Sequence, residues 1–342
     1  NTITRWYFAN LNINRVTYLC LTVCSNISLL YSMIFSKDPR YYWFSQLIVL
    51  AILMLLVLLY KKQDLTSYYE GFSQNTPYVY KTNQDAHDEF YAEIYNQLQV
   101  PEERNTYVLD KTVEMTRPSR QYAVFLEIGS KTGTFLKLLK DRGFKAYGLE
   151  KSKDMVQYAK KKYPETEHLK CGVVTEPLTF EKAMFSHIIC NGLTFYETPN
   201  KNLFFQNCYF WLRGGGYLII HLADPGRFDP IIPGGKPSFM KSPQKYSSKR
   251  ITDTLIDFID FKYKASFDFS DLNENHKVSL KETFTDELTK HVRQNEFTYT
   301  MEPISDIMKL AALNGFLVQG QVNLENCTGD EHQHLLILER PN

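Results

Sequence analysis

The sequence has almost no net charge and no cysteine arrangement typical of a metal site. Its 342 residues include 39 Lys and Arg against 38 Asp and Glu, a formal charge of +1. Such a balanced chain lacks the broad positive field that attracts nucleic acid, so no nucleic-acid partner is expected. The six cysteines form no C-x-x-C pair and the eight histidines are scattered. We therefore predict reduced cysteines and no bound metal.

Aromatic residues, in contrast, are plentiful, with 23 Tyr and 23 Phe. Both residue types are enriched in strands and in packed interfaces. We therefore interpret them as part of a β-rich core, in preference to an aromatic cage around a ligand.

Two segments near the start of the chain contain no charged residue: 16–35, VTYLCLTVCSNISLLYSMIF, and 41–60, which ends in FSQLIVLAILMLLVLLY. A helix of about 20 residues is about 30 Å long, the thickness of the hydrocarbon core of a bilayer. The pattern predicts a transmembrane helical hairpin within residues 1–62, with membrane lipid as its partner. A buried core helix is the alternative for 41–60, and a cleaved signal peptide is the alternative for 16–35.

The basic residues around this hairpin predict its orientation. Four of them flank its open end and two lie in its turn. Because Lys and Arg are enriched in cytoplasmic loops, this difference favours a soluble domain that faces the cytosol. The internal membrane of a virus particle is an alternative location. A polar linker is predicted over 63–83 and a globular domain over 84–342.

Within residues 84–342, segments typical of strands and helices alternate after two initial helices. This pattern predicts an α/β fold with a doubly wound sheet, whose ligand site lies at the carboxyl ends of the strands. The tail departs from the alternation, with inserted antiparallel strands, one helix and a final antiparallel hairpin. The strands of the alternating part are predicted at 122–128, 145–149, 169–174, 185–190 and 216–222.

The loop after the first of these strands lacks an expected glycine. It reads FLEIGSKTG over 125–133, with Gly129 and Gly133 but with Lys131 where a third glycine would stand. Glycine at such positions lets the backbone approach a ligand without a Cβ clash. We therefore expect the Lys131 side chain to crowd a ligand held by this loop.

Motifs along residues 85–342 resemble those of the class I S-adenosylmethionine (SAM)-dependent methyltransferases. FLEIGSKTG resembles the first motif of that family and AYGLEKSKDMVQYAKKKY the second. KCGVV, FSHIICNGLTFY and WLRGGGYLIIHLADP follow in the family order, and ISDIMKLAALNGFLVQG resembles its closing helix and sixth strand. A fold that binds an NAD-type dinucleotide is the alternative for the first motif alone.

The resemblance implies SAM as the cofactor and a role for each matching residue. Carboxylates would accept hydrogen bonds from the α-amino group and from the ribose hydroxyls, glycines would contact the methionine moiety, and apolar or amide side chains would enclose the adenine. The implied cofactor-binding residues are Glu127, Gly129, Gly133, Glu150, Met155, Val174 and Asn191.

Three residues after the fourth and fifth strands are candidates for catalysis: Tyr196, His221 and Asp224. Methyl transfer from a sulfonium depends mainly on positioning and desolvation, but an oxygen or nitrogen nucleophile can also need a base. The resemblance leaves the acceptor open among small molecules, lipids and proteins.

Two departures from the family favour a different function. Lys131 replaces a glycine, and Val173 stands where the family commonly has an acidic residue against the adenine amine. The alternative is a non-catalytic structural protein with a degenerate methyltransferase fold. It would be tethered to a membrane beside other membrane or structural proteins, as in the shell of a membrane-containing virus.

Overall fold

The computed structural model describes Tyr31, Gln74 and residues 46–58, 76–237 and 242–342. Contacts divide the chain into two units, Asn1–Gly71 and Phe72–Asn342. In the first unit, residues 46–58 form a helix with mostly exposed apolar side chains.

The prediction of a membrane location with two spans is wrong for the described part of the chain. None of the helices described there combines the length and the apolar character that crossing a membrane requires. The 13 helical residues at 46–58 extend about 20 Å, whereas a bilayer core measures about 30 Å. The other predicted span, 16–35, lies outside the described residues except for Tyr31.

The second unit alternates strands and helices before an antiparallel insertion. Its strands are β1 (Tyr78–Thr82), β2 (Val124–Ile128), β3 (Lys145–Glu150), β4 (Leu169–Cys171), β5 (Phe185–Cys190), β6 (Leu212–Ala223), β7 (Asp253–Asp257), β8 (Phe261–Asp268), β9 (Lys277–Asp286), β10 (Val292–Thr300), β11 (Leu317–Asn323) and β12 (Gln333–Arg340). Its helices are α1 (Asn83–Ala86), α2 (Glu89–Gln99), α3 (Pro101–Thr116), α4 (Thr134–Asp141), α5 (Lys153–Lys162), α6 (Lys201–Trp211), α7 (Leu272–Asn275), α8 (Ile304–Leu313) and α9 (Glu325–Thr328). Short 3-10 helices lie at Pro177–Thr179, Thr194–Glu197, Pro233–Gly235 and Pro243–Tyr246.

The main sheet has seven strands in the order β11-β12-β6-β5-β2-β3-β4. Strands β2 to β6 pair in parallel, and β12 pairs antiparallel with both β6 and β11. This arrangement confirms the predicted doubly wound α/β sheet with a reversed final hairpin. The carboxyl ends of β2, β3, β5 and β6 therefore meet at one edge.

A second sheet has the order β1-β10-β9-β8-β7, and its strands β7 to β10 come from the insertion between β6 and α8. Its inserted strands pair antiparallel, as predicted, whereas β1 pairs in parallel with β10. Strand β1 lies within residues 63–83, the range predicted as a linker. A bidentate ion pair between Arg293 of β10 and Asp88, with N to O distances of 2.8 and 2.9 Å, ties this sheet to the start of α2.

Hydrophobic residues cover both faces of the main sheet. In β2, Leu126 and Ile128 join one buried cluster while Phe125 joins the other. Successive side chains of a strand point to opposite faces, so β2 contributes to both layers of the core. The strand is thereby held firmly where it delivers the loop of residues 129–133.

Candidate functional site

The loop between β2 and α4 keeps the backbone of a glycine-rich turn at the position where glycine is missing. Gly129, Lys131 and Gly133 have φ angles of +73°, +47° and +77°. A residue with a Cβ pays roughly 1–2 kcal/mol for this left-handed conformation. The loop geometry is thus retained although Lys131 carries a side chain.

That side chain lies in a buried group of ionised residues. Lys131 Nζ donates to both oxygens of Glu197 at 3.0 Å, and Lys151 Nζ lies 2.7 Å from Glu197 Oε2. Burial would lower the pKa of Lys131, but the carboxylates of Glu197 and Glu150 outweigh it and raise this pKa. Burial would raise the pKa of Glu197, but the two lysines hold it below its usual value. The lysine therefore remains charged without a ligand.

His87 lies against the same lysine, with its Nε2 3.4 Å from Lys131 Nζ. Burial and then the positive charge of Lys131 hold the pKa of His87 well below its usual value. The imidazole is neutral at physiological pH and contributes a polar wall without adding charge.

Glu150 is oriented at the end of β3 by two backbone amides. Its Oε2 accepts from Lys131 N–H and its Oε1 from Ser152 N–H, both at 3.0 Å. A carboxylate has about four acceptor positions, so each oxygen retains one for a ligand. The side chain is fully buried.

Glu127 is the second carboxylate predicted to bind the cofactor. It is buried within β2, and in the described part of the chain its Oε2 has no hydrogen-bond partner. Burial raises its pKa to about 8, so the group is mostly protonated at neutral pH. A buried acceptor without a partner is costly, which suits a position meant to receive a donor.

Gly129 faces another part of the chain. A Cβ built on it would lie 2.2 Å from Thr194 Cγ2, in the 3-10 helix after β5. The glycine is therefore needed for the close packing of residues 194–197 on the loop. The same short helix supplies Glu197.

The remaining predicted cofactor residues lie along the same sheet edge, each engaged within the protein. Met155 is buried and its N–H donates to Ser152 Oγ, which caps α5. The other positions are similarly occupied: a Cβ on Gly133 would lie 3.0 Å from Ala159 Cβ, the Val174 carbonyl accepts from Asn207 at 2.8 Å, and Asn191 donates to Asn105 at 2.9 Å.

The three predicted catalytic residues separate in the structure. The Tyr196 hydroxyl is buried and bonded to both backbone groups of Ala223 at 3.0 Å, and burial raises its pKa. Asp224 lies at the surface in an ion pair with Arg227. His221 alone among the three lines a cavity. The roles of Tyr196 and Asp224 stay predictions.

That cavity measures about 500 Å³ and lies between the strand ends and the second sheet. Its polar wall includes Lys131, Glu197 and His221. Its apolar wall is largely aromatic and includes Tyr91, Tyr95, Phe228, Phe267, Phe297 and Tyr299.

A chain of hydrogen bonds determines which ring nitrogen of His221 is unprotonated. Gln333 Nε2 donates to the Asp330 carboxylate at 2.8 Å, which leaves Gln333 Oε1 to accept from His221 Nε2 at 3.0 Å. Neutral imidazole carries one proton, so Nδ1 is an acceptor, and it has no partner among the residues that the structure describes. Burial lowers the pKa of His221 to about 3, so the ring stays neutral at physiological pH.

Sequence reasoning missed His87, Arg104 and Glu197 as site residues. Glu197 had one usable signal, because it follows β5 by seven residues at the correct sheet edge. His87 lies between α1 and α2, and Arg104 lies in α3. No sequence motif in these segments indicates contact with the cavity.

These residues fit SAM. Glu150 presents an oriented carboxylate suited to two hydroxyls, and Glu127 has a carboxyl oxygen that lacks a hydrogen-bond partner among the described residues. Lys131 forms an ion pair with Glu197 and is the one cation within the loop of residues 129–133. These acceptors thus suit a ligand with hydroxyls and positive charge, and Lys131 competes with such a ligand for Glu197.

Comparisons with known proteins agree with this geometry. The family model of a methyltransferase domain matches residues 126–220. The structure of the CcbJ methyltransferase from Streptomyces caelestis is similar at a TM-score of 0.57 and 13% identity, covering 75% of this chain and 98% of that one. A SAM-dependent methyltransferase from Clostridium acetobutylicum has a TM-score of 0.54 at 16% identity, with 74% and 98% covered. DesVI from Streptomyces venezuelae has a TM-score of 0.51 at 15% identity, with 74% and 98% covered.

At such low identities the structural likeness establishes the fold. A search among curated proteins found no match. The methyltransferase-domain match on the loop, β3 and β5 together with the shared fold supports an enzyme, a SAM-dependent methyltransferase with SAM as its cofactor.

Proposed function

We propose that this protein methylates an acceptor held in the cavity of about 500 Å³, with SAM bound at the carboxyl ends of β2 and β3. The observation that carries the proposal is that the loop after β2 and strand β6 line the same cavity. Lys131 of the β2 loop and His221 of β6 line one cavity at the edge where Glu150 ends β3.

Bound SAM supplies an electrophilic methyl group on a sulfonium. The protein then has to position the acceptor and exclude water. Glu150 accepts hydrogen bonds from the ribose hydroxyls, and Glu127 offers a hydrogen-bonding oxygen to the α-amino group. The ionised Glu197 provides negative charge for the cationic part of the ligand, in competition with Lys131 and Lys151. The aromatic wall of the cavity and the second sheet keep the acceptor away from bulk water.

His221 orients the acceptor in this proposal. Its Nδ1 accepts a hydrogen bond from an O–H or N–H group, which directs a lone pair of that atom towards the methyl group. A pKa of about 3 makes His221 too weak a base to hold a proton at neutral pH. Its role is therefore positioning, and the acceptor has to enter with a neutral or readily ionised nucleophile.

The test is turnover of SAM by the full chain. The protein is incubated with methyl-labelled SAM and pooled small-molecule, lipid and protein fractions, and S-adenosylhomocysteine is measured. We expect product with the parent, much less with Glu150→Ala, and a lower rate with unchanged SAM affinity for His221→Phe. Equal product with the parent and Glu150→Ala would contradict the proposal.

A non-catalytic protein with this fold is the second candidate. Two contacts favour it: Thr194 fills the space beside Gly129, and the ion pair of Lys131 with Glu197 holds the same segment on the loop. This candidate predicts that neither SAM nor S-adenosylhomocysteine binds the parent at millimolar concentration.

A further inference from the structure

Arg104 differs from the other cations that line the cavity, because it has no partner among the described residues. It extends from α3, and in the part of the chain that the structure describes its guanidinium makes neither a hydrogen bond nor an ion pair. Its Nε is buried and unpartnered. Lys131 is paired with Glu197 at 3.0 Å, and Lys236 with Asp229 at 2.8 Å.

Arg104 lines the cavity beside Gly192. A Cβ built on Gly192 would have Arg104 Nη2 as its one neighbour, at 3.8 Å. The neighbouring carboxylate on the cavity wall, Glu103, is exposed and forms no ion pair with Arg104. A half-buried guanidinium beside open space is favourable only when an anion or water satisfies its donors.

His221 supplies a second, independent sign of a ligand at this place. It is 1% exposed and lines the same cavity, and among the described residues its Nδ1 has no hydrogen-bond partner. The positive charge of Arg104 acts on this ring and, after burial, is the next cause that lowers its pKa. In the described part of the chain, the cavity is thus lined by Arg104, a cation without a paired anion, and by His221, whose Nδ1 is an acceptor without a donor. An aromatic wall lies beside them.

We propose that Arg104 binds an oxyanion, a carboxylate or phosphate, carried by the methyl acceptor. The acceptor is then an acidic molecule with an apolar body and a hydroxyl or amine that donates to His221. This inference rests on the proposed function. It assigns the anion to the acceptor because Arg104 lines the cavity together with His221, whereas Glu127 and Glu150, the residues assigned to the α-amino group and the ribose of SAM, do not line it.

The test compares one acid with its neutral analogue. Calorimetric titration of the full chain uses 4-hydroxybenzoate and 4-hydroxybenzamide, with SAM titrated separately. The variants are Arg104→Gln, Arg104→Lys and, as a matched control, Arg120→Gln, which changes an exposed arginine outside the cavity. We expect the parent and Arg120→Gln to prefer the acid by about tenfold, the effect of one charge-assisted contact. Arg104→Gln should lose the preference, and Arg104→Lys should keep part of it because the charge remains without the fork.

The outcomes separate this inference from the proposed function. Equal affinity of the parent for acid and amide, binding of neither, or a preference that survives in Arg104→Gln would overturn it. It would also be overturned if Arg104→Gln weakened SAM binding and left the acid preference intact, because the anion would then be the carboxylate of the cofactor. If the parent binds no SAM but prefers the acid, and Arg104→Gln loses that preference, the anion site is supported. Only the proposed methyltransferase activity is then contradicted.

Discussion

Lys131 is unusual in both its backbone and its side chain. Its backbone holds a left-handed φ of +47°, and its ammonium lies between Glu197 and His87. The sequence shows that a glycine is missing at this position, and it predicts that the lysine side chain crowds a ligand held by the loop. The ion pair was not predictable, because Glu197 reaches the loop only through tertiary packing.

Replacing Lys131 by glycine should tighten SAM binding. Lys131→Gly removes a positive charge beside a cationic ligand and relieves the left-handed backbone, and Glu197 keeps Lys151 as a partner at 2.7 Å. We expect up to about tenfold higher affinity by calorimetric titration, or about 1.4 kcal/mol.

Two comparisons separate the causes of that gain. Lys131→Ala removes the charge but keeps a Cβ in the strained backbone. Charge repulsion predicts a larger gain for SAM than for S-adenosylhomocysteine, whereas crowding predicts an equal gain for both. Weaker binding by Lys131→Gly would show that the lysine contacts the ligand favourably.

Glu127 should make the stability of the protein depend on pH. Its pKa in the fold is about 8, against a usual value of 4.5, so the fold favours the protonated form. The stability contributed by this group is complete below pH 4.5 and is lost as pH rises through 8. Between these values the free energy of unfolding should fall by up to about 1.4 kcal/mol per pH unit on account of this group.

Glu127→Gln tests that dependence because it keeps the shape of the side chain without a titrating proton. In urea unfolding from pH 5 to pH 8, the variant should lose less stability than the parent. Glu282, whose pKa burial raises to about 7, contributes in both proteins and cancels in the comparison. Parallel curves for parent and variant would show that Glu127 is not protonated in the fold.

At the scale of elements, the alternation of strands and helices was predictable because periodicity reports which faces are buried. The sequence also indicated the inserted strands at 262–270, 276–285 and 295–301, which correspond to β8, β9 and β10. It did not indicate that β1 would join β10 or that residues 194–197 would pack on the loop. Both contacts join segments far apart in the chain, and no local pattern encodes them.

The packing of the 3-10 helix on the loop predicts the effect of a methyl group at residue 129. Gly129→Ala meets both a left-handed backbone at φ +73° and Thr194 Cγ2 at 2.2 Å. Gly143→Ala is the matched control, with φ +80° and no atom within 4 Å. Urea unfolding should show a loss of about 1–2 kcal/mol for Gly143→Ala and a clearly larger loss for Gly129→Ala. Equal losses would mean that Thr194 does not press on the loop.

At the scale of the whole molecule, the prediction of the doubly wound α/β sheet is confirmed, whereas the prediction of a membrane location is wrong for the described residues. Apolar content at 41–60 predicted a membrane span, whereas the described helix covers 46–58 alone. The cavity could not be predicted, because its walls come from α2, α3, the loop, β6 and the second sheet together. The roles of the predicted cofactor residues stay predictions.

The most direct test of the account is calorimetric titration of the full chain with SAM, in the parent and in Glu150→Ala. Glu150 ends β3 with both oxygens held by backbone amides, so it should contribute charge-assisted hydrogen bonds to the ribose. We predict measurable binding by the parent and a loss of about 1.5–3 kcal/mol in Glu150→Ala for each bond removed. No binding by the parent at millimolar SAM, or equal binding by Glu150→Ala, would contradict the account.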